Sequence, residues 1–147
     1  MKICIACSSG GHLTEILQLK EVYEKRKHFF LTFKRANTHE LAKRKKVYFV
    51  TDPKRNPLLF LITLFQSLNI FLKEKPDVIL STGAGIAVPI CYIAKLFGKK
   101  IIFFESFCKT QKPGFASKII YPLADLFFVQ WPEMQKYYPK AKVGSVF

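Results

Sequence analysis

Acidic side chains are scarce in this sequence: ten Asp and Glu stand against 24 Lys and Arg, a formal net charge of +14. That surplus exceeds what solubility needs and points to an anionic partner, among them a phosphorylated small molecule, an anionic membrane face or nucleic acid. Cysteine is sparse too. Cys4, Cys7, Cys91 and Cys108 do not make a metal set, because in a regular strand Cys4 and Cys7 face opposite sides. Cys4 and Cys91 sit among apolar neighbours, as buried thiols of a reducing compartment do. Repeats and low-complexity tracts are absent, and half of the residues are hydrophobic, which excludes a disordered chain. No secretory leader is read: Lys2 is followed by only a short apolar strand before Ser-Ser-Gly-Gly.

What is present is alternation of strands and helices. Apolar runs at 2–7, 28–33, 46–50, 77–81, 100–105 and 125–130 read as strands, with 141–147 as a last one. Helical patterns fall at 13–27, 57–75, 86–97, 114–123 and 133–138, with a short one near 38–45. Strands apolar on both faces and separated by helices predict an α/β fold, a Rossmann-like, mainly parallel sheet with helices on both faces. At 147 residues this is one domain, burying about two-thirds of its unfolded surface. A site is expected beyond the carboxyl ends of the strands. Gly10–His12, Ser81–Gly85, Glu105–Lys112 and Gln130–Glu133 all fall on that rim.

In the first rim loop, adjacent Gly10 and Gly11 let backbone amides turn toward an anion, with Ser9 beside them. The rest of a dinucleotide fingerprint is missing, and no Gly-Lys-Ser/Thr follows. His12 is either a packed capping imidazole or a general base for a bound hydroxyl. Ser81, Thr82, Gly83 and Gly85 offer small residues and amides to a phosphate or sugar, or else tight strand–helix packing. Glu105 suits proton transfer, sugar binding or a structural ion pair, with Lys109 and Lys112 nearby as phosphate ligands. Gln130, Trp131 and Glu133 are read as contacts to another domain or chain, Trp131 alternatively as a stacking platform for a sugar or base.

The segment from Pro57 to Lys75 is about 28 Å of helix with only a thin polar stripe: Thr63, Gln66, Ser67 and then Lys73 or Glu74. Asn56 caps it and Pro57 takes its first turn. It falls short of an uninterrupted transmembrane span, yet it is more apolar than one side of a sheet can cover. Leu58, Phe60, Leu61, Leu64, Phe65, Leu68 and Phe71 are assigned to a lipid surface or another subunit, with Lys43–Lys46, Lys54 and Arg55 favouring an anionic membrane. Basic residues are not interleaved with aromatics in a nucleic-acid-reading motif, so nucleic acid is not an expected partner.

"SSGGHLTE", "STGAGIAVP", "FFESF" and "ADLFFVQWPE", in this order, resemble the oligosaccharide-biosynthesis family. That family holds the membrane-associated subunit of the two-part N-acetylglucosaminyltransferase of lipid-linked glycan assembly, and its bacterial capsular and exopolysaccharide relatives. The resemblance implies the N-terminal, acceptor-side half of a GT-B glycosyltransferase, docked on the cytoplasmic face of a membrane as a peripheral or monotopic protein. It implies a separate donor-side subunit that binds most of the UDP-sugar, a polyprenyl-diphosphate-linked acceptor, and neither a metal nor another cofactor. His12, with Glu105 as rival or positioning partner, would accept the acceptor proton. The different-class alternative is a non-catalytic activator or membrane adaptor in which both are structural.

Overall fold

Two almost wholly buried runs set the centre of the sheet. In the computed structural model, which describes residues 1–147, Lys2–Cys7 (β1) and Val78–Gly83 (β4) pair in parallel. Lys27–Thr32 (β2) and Val47–Phe49 (β3) extend the sheet on one side. Lys100–Phe104 (β5), Leu126–Val129 (β6) and Lys142–Val143 (β7) extend it on the other. The order is β3-β2-β1-β4-β5-β6-β7 and every pairing is parallel. The winding reverses between β1 and β4, which opens a crevice beyond their carboxyl ends.

Side-chain alternation splits the core into two layers. Ile3, Ile5, Cys7, Val78 and Leu80 meet Leu13 and Ile16 of Gly11–Gln18 (α1), Tyr23 of Lys20–Tyr23 (α2) and Leu41 of Ala36–Ala42 (α3). Cys4, Ala6, Ile79 and Phe103 meet the other face's helices: Pro57–Glu74 (α4), Ala87–Leu96 (α5) and Phe115–Ile120 (α6). Cys4 and Cys7 therefore do face opposite sides. Burial pushes the Cys7 and Cys91 thiols up to about 12, so both act as packing groups. On the α1–α3 face, Ile102, Phe104 and Phe128 stay half-buried, with Phe104 stacked on Phe128 at 4.6 Å.

The differences from the expected elements have local causes. The expected 13–27 helix breaks at Leu19, whose N–H turns back to the Ile16 carbonyl at 3.0 Å. The 114–123 helix tightens into a 3₁₀ turn over Tyr121–Leu123, where Pro122 has no N–H for the α ladder. The segment at 133–138 is a 3₁₀ turn, Pro132–Lys136, rather than an α-helix. Of 141–147 only Lys142–Val143 joins the sheet.

α4 has its apolar side out. Thr63, Ser67, Ile70, Phe71 and Glu74 face the protein, while Leu58, Leu61, Ile62, Phe65 and Leu72 are exposed. The polar stripe fixes the loop that follows β3: the Thr63 hydroxyl donates to the Thr51 carbonyl at 2.6 Å, and Gln66 Oε1 accepts from Thr51 N–H at 2.7 Å. Exposures of 67% at Leu58 and 64% at Phe65 leave most of those side chains without a protein neighbour. Phe71 corrects the membrane set. It is 3% exposed and packs in the core, because it shares the inward face with Ser67 and Glu74. Phe60, Leu64 and Leu68 are half-buried along the border of the two faces.

Glu74 ends that inward stripe and ties three elements together. It accepts from Lys2 Nζ at 3.0 Å, from Lys46 Nζ at 2.5 Å and from the Tyr48 hydroxyl. Burial alone would raise its pKa, but hydrogen bonds from Lys46, Tyr48 and Lys2 outweigh it and bring the carboxyl from 4.5 down to about 2. A depressed folded value stabilises above the unfolded pKa, and that contribution disappears as pH falls from about 4.5 towards 2. Urea midpoints measured across that window are expected to fall more steeply for the wild type than for Glu74→Gln. Parallel curves would show that the cluster gives no pH-linked stability.

Candidate functional site

The crevice between β1 and β4 is built around one imidazole. Gly10, with φ of +80°, turns the chain out of β1 and starts α1, which carries His12 on its first turn. His12 Nδ1 lies 2.8 Å from the Thr82 carbonyl oxygen. A carbonyl only accepts, so Nδ1 donates to it, and in the neutral ring Nε2 is the nitrogen that carries the lone pair. The Thr82 hydroxyl donates back to the His12 carbonyl at 2.7 Å. Gly83, at φ of +120°, completes the seat: a Cβ there would lie 3.1 Å from His12 Cε1. No residue with a side chain fits without moving the ring.

This arrangement corrects two expected ligands. Ser81 and Thr82 are fully buried; Ser81 Oγ accepts the Gly83 N–H at 3.0 Å and Thr82 is committed to His12. They set the loop and the imidazole, and their hydroxyls do not reach a bound phosphate. Gly85 is exposed and does line the cleft. Ser9, Gly10 and Gly11 lie at the mouth of α1, outside the cleft wall.

The cleft itself has a volume of about 280 Å³ and is walled by His12, Gly85, Glu105, Lys109 and the loop Asp52–Arg55. That loop, anchored by Thr63 and Gln66 of α4, was read in the sequence only as part of a basic flank. Lys54 and Arg55 both hold left-handed backbone, with φ of 47° and 58°, a conformation unfavourable for residues with a Cβ. It brings two cations to the cleft that Lys109 also lines. The Arg55 guanidinium lies 4.8 Å from the Phe115 ring centroid. Lys112 is exposed and outside the wall.

Glu105 is 2% exposed and fully engaged. Oε1 accepts from Ser106 N–H at 3.0 Å and Ser117 Oγ at 2.6 Å. Oε2 accepts from Gly114 N–H at 3.1 Å and Tyr138 OH at 3.0 Å. Burial, then the Glu105 charge, drives the Tyr138 phenol well up, so it stays a donor. Four donors fill the carboxylate's four acceptor positions. Glu105 is thus an anchor for the 106–117 loop that carries Lys109.

A second buried acid does similar work and had been given no role. Glu15, 3% exposed on α1, accepts from Ser106 Oγ at 2.9 Å, Phe107 N–H at 3.2 Å and Gln130 Nε2 at 3.2 Å. Its only sequence signal was an acid at the end of the glycine–histidine motif. Gln130, 7% exposed, also donates to the Glu105 carbonyl at 3.0 Å. Trp131 donates to the Phe107 carbonyl at 2.7 Å. Both therefore brace the chain's own loop; burial closes Gln130 off from an outside domain, which corrects its assignment, while the half-buried Trp131 and the exposed Glu133 keep surface for one.

With this geometry in place, comparison adds identity. The family described as "Oligosaccharide biosynthesis protein Alg14 like" matches residues 54–147. The UDP-N-acetylglucosamine transferase subunit ALG14 of Mus musculus is 30% identical over 174 residues, covering 96% of this chain and 80% of its own. A Geobacillus kaustophilus enzyme, UDP-N-acetylglucosamine--N-acetylmuramyl-(pentapeptide) pyrophosphoryl-undecaprenol N-acetylglucosamine transferase, is 33% identical over 102 residues, which cover 67% of this chain and 28% of the enzyme. The crystal structure of Acinetobacter baumannii MurG superposes with a TM-score of 0.80 at 16% identity, over 99% of this chain and 45% of that one. The fold is therefore that of one GT-B half, the parallel Rossmann-like sheet expected from the strand pattern.

Proposed function

The chain belongs to the Alg14-like oligosaccharide biosynthesis family, and from that premise we propose that it is the acceptor-side, membrane-associated subunit of a two-part UDP-sugar-dependent glycosyltransferase. UDP-N-acetylglucosamine is the donor and a polyprenyl-diphosphate-linked saccharide at the cytoplasmic face is the acceptor. The carrying observation is one juxtaposition: a cleft with a free imidazole nitrogen and three cations opens beside a helix whose apolar side faces outward. The mouse relative's name supports a subunit that uses UDP-N-acetylglucosamine. The Geobacillus enzyme's name supports a pyrophosphoryl-polyprenol acceptor.

His12 Nε2 takes the proton of the acceptor hydroxyl as its oxygen bonds to the donor's anomeric carbon and the bond to UDP breaks. Lys54, Arg55 and Lys109 hold the acceptor's diphosphate. The donor-side subunit binds the UDP-sugar and stabilises the departing UDP. The outward face of α4, with Leu58, Leu61 and Phe65, rests on the bilayer, and the basic surplus attracts anionic lipid.

Reconstitution tests this. The chain, its donor-side subunit and the pair are assayed with UDP-N-acetylglucosamine and a vesicle-borne diphosphate-linked acceptor. Turnover is expected only from the pair. Leu61→Asp with Phe65→Asp is expected to lower flotation with anionic vesicles by about tenfold, since it removes apolar area from the membrane face. Full turnover by the 147-residue chain alone would overturn the division between subunits.

A further inference from the structure

The polar cleft does not end at its cations. It runs into an apolar groove of about 640 Å³ between α4, α5 and α6, and Arg55, Phe60, Val88, Phe115 and Ile119 line both cavities. Apart from Arg55, the charged side chains lie on one side of the junction. There stand His12, Asp52, Lys54, Glu105 and Lys109; on the other side lie Leu64, Tyr92 and Leu96. Arg55, set over the Phe115 ring at 4.8 Å, marks the boundary. A cation seated on an aromatic face can grip an anion while its flat side covers apolar surface.

We infer that this groove is the track for the hydrocarbon chain of the acceptor, with Arg55 holding the phosphate that joins chain to saccharide. The inference deepens the proposed function and rests on it for the substrate class. Its ligand has an anionic head and a linear apolar tail in fixed order, and the two cavities supply that order. A bilayer alone would meet a convex surface, such as the outward side of α4. The concave groove takes a single chain, and its volume lies in the usual range for enclosing one small molecule. Its far end opens at Leu96, 85% exposed, and Tyr92, 43% exposed, so a longer tail passes from the groove into the membrane on which α4 rests. A partner helix laid there would explain the apolar walls but would leave the cations at the junction without a counterpart.

The test is titration of the full chain, without detergent or sugar donor, against inorganic diphosphate and farnesyl diphosphate, a soluble head with a three-isoprene tail. Burial of those methylenes is expected to make the farnesyl ligand at least ~30-fold tighter. Tyr92→Ser with Leu96→Ser, both at exposed sites, is expected to cut that advantage below about threefold while inorganic diphosphate binding stays unchanged. Arg55→Ser is expected to weaken both ligands alike. Equal binding of the two ligands would overturn the inference. So would a tail advantage that survives Tyr92→Ser/Leu96→Ser, or one abolished by Leu58→Ser/Phe65→Ser on the outer face instead. Because no sugar is transferred, the result stands apart from whether the assembled pair is active.

Discussion

Asparagine at position 12 is expected to lower kcat of the two-chain assembly by about 10²–10⁴-fold, the usual contribution of a positioned general base, with acceptor KM changed by less than about threefold. The choice of substitution matters. An Asn side-chain N–H occupies nearly the place of His Nδ1, so it can still donate to the Thr82 carbonyl and keep the seat formed by Thr82 and Gly83. What it lacks is Nε2. A structural imidazole would therefore be replaced by Asn at little cost, whereas a proton acceptor would not. Gln reaches further but gives up the Nδ1 position, so His12→Gln is the complementary variant. Loss of kcat in both, with assembly and vesicle binding intact, assigns the proton transfer to Nε2. Retained turnover in His12→Asn would leave the chain as an adaptor whose partner carries all the chemistry.

How far such a site can be read before folding depends on whether a residue's role is local. His12, Gly83 and Gly85 were legible because a glycine-bounded turn at a strand end exposes backbone wherever the sheet is parallel. The strands were legible for the same local reason, being apolar on both faces. Roles set by distant partners were not. Nothing near Gln130 announces that its amide bridges Glu15 and the Glu105 carbonyl, more than a hundred and about 25 positions away respectively. The α4 stripe shows the limit in another form. Its period gave a polar side and an apolar side correctly, but amphipathic reasoning turns the polar side to water, and here Thr63 and Gln66 turn inward to fix the Thr51–Arg55 loop. Phe71 was misplaced because that inward face also carries core residues.

Glu105 separates the two candidates for the base, because anchoring and proton transfer predict opposite results. Truncation by Glu105→Ala strands four donors, those of Ser106, Gly114, Ser117 and Tyr138, in a site almost closed to water. Each unsatisfied buried donor costs about 1–3 kcal/mol, and water entering the gap offsets part, so a net loss of about 4 kcal/mol is expected in denaturant unfolding. For a chain of this length that corresponds to a Tm lower by about 10–15 °C. Glu105→Gln keeps the volume but offers one acceptor oxygen and an N–H₂ that confronts existing donors, so it is expected to cost about 2 kcal/mol. Under the anchoring role, Glu105→Gln turnover at a temperature well below its Tm falls by less than about tenfold, and amide exchange quickens across 106–117, where Lys109 is held. Under a base role the same variant would lose kcat by the full general-base factor of about 10²–10⁴ while exchange in that loop stayed slow. The four filled acceptor positions favour the first outcome: a carboxylate that must receive a proton needs a free lone pair facing the hydroxyl, and Glu105 has none left, whereas His12 Nε2 makes no hydrogen bond within the fold.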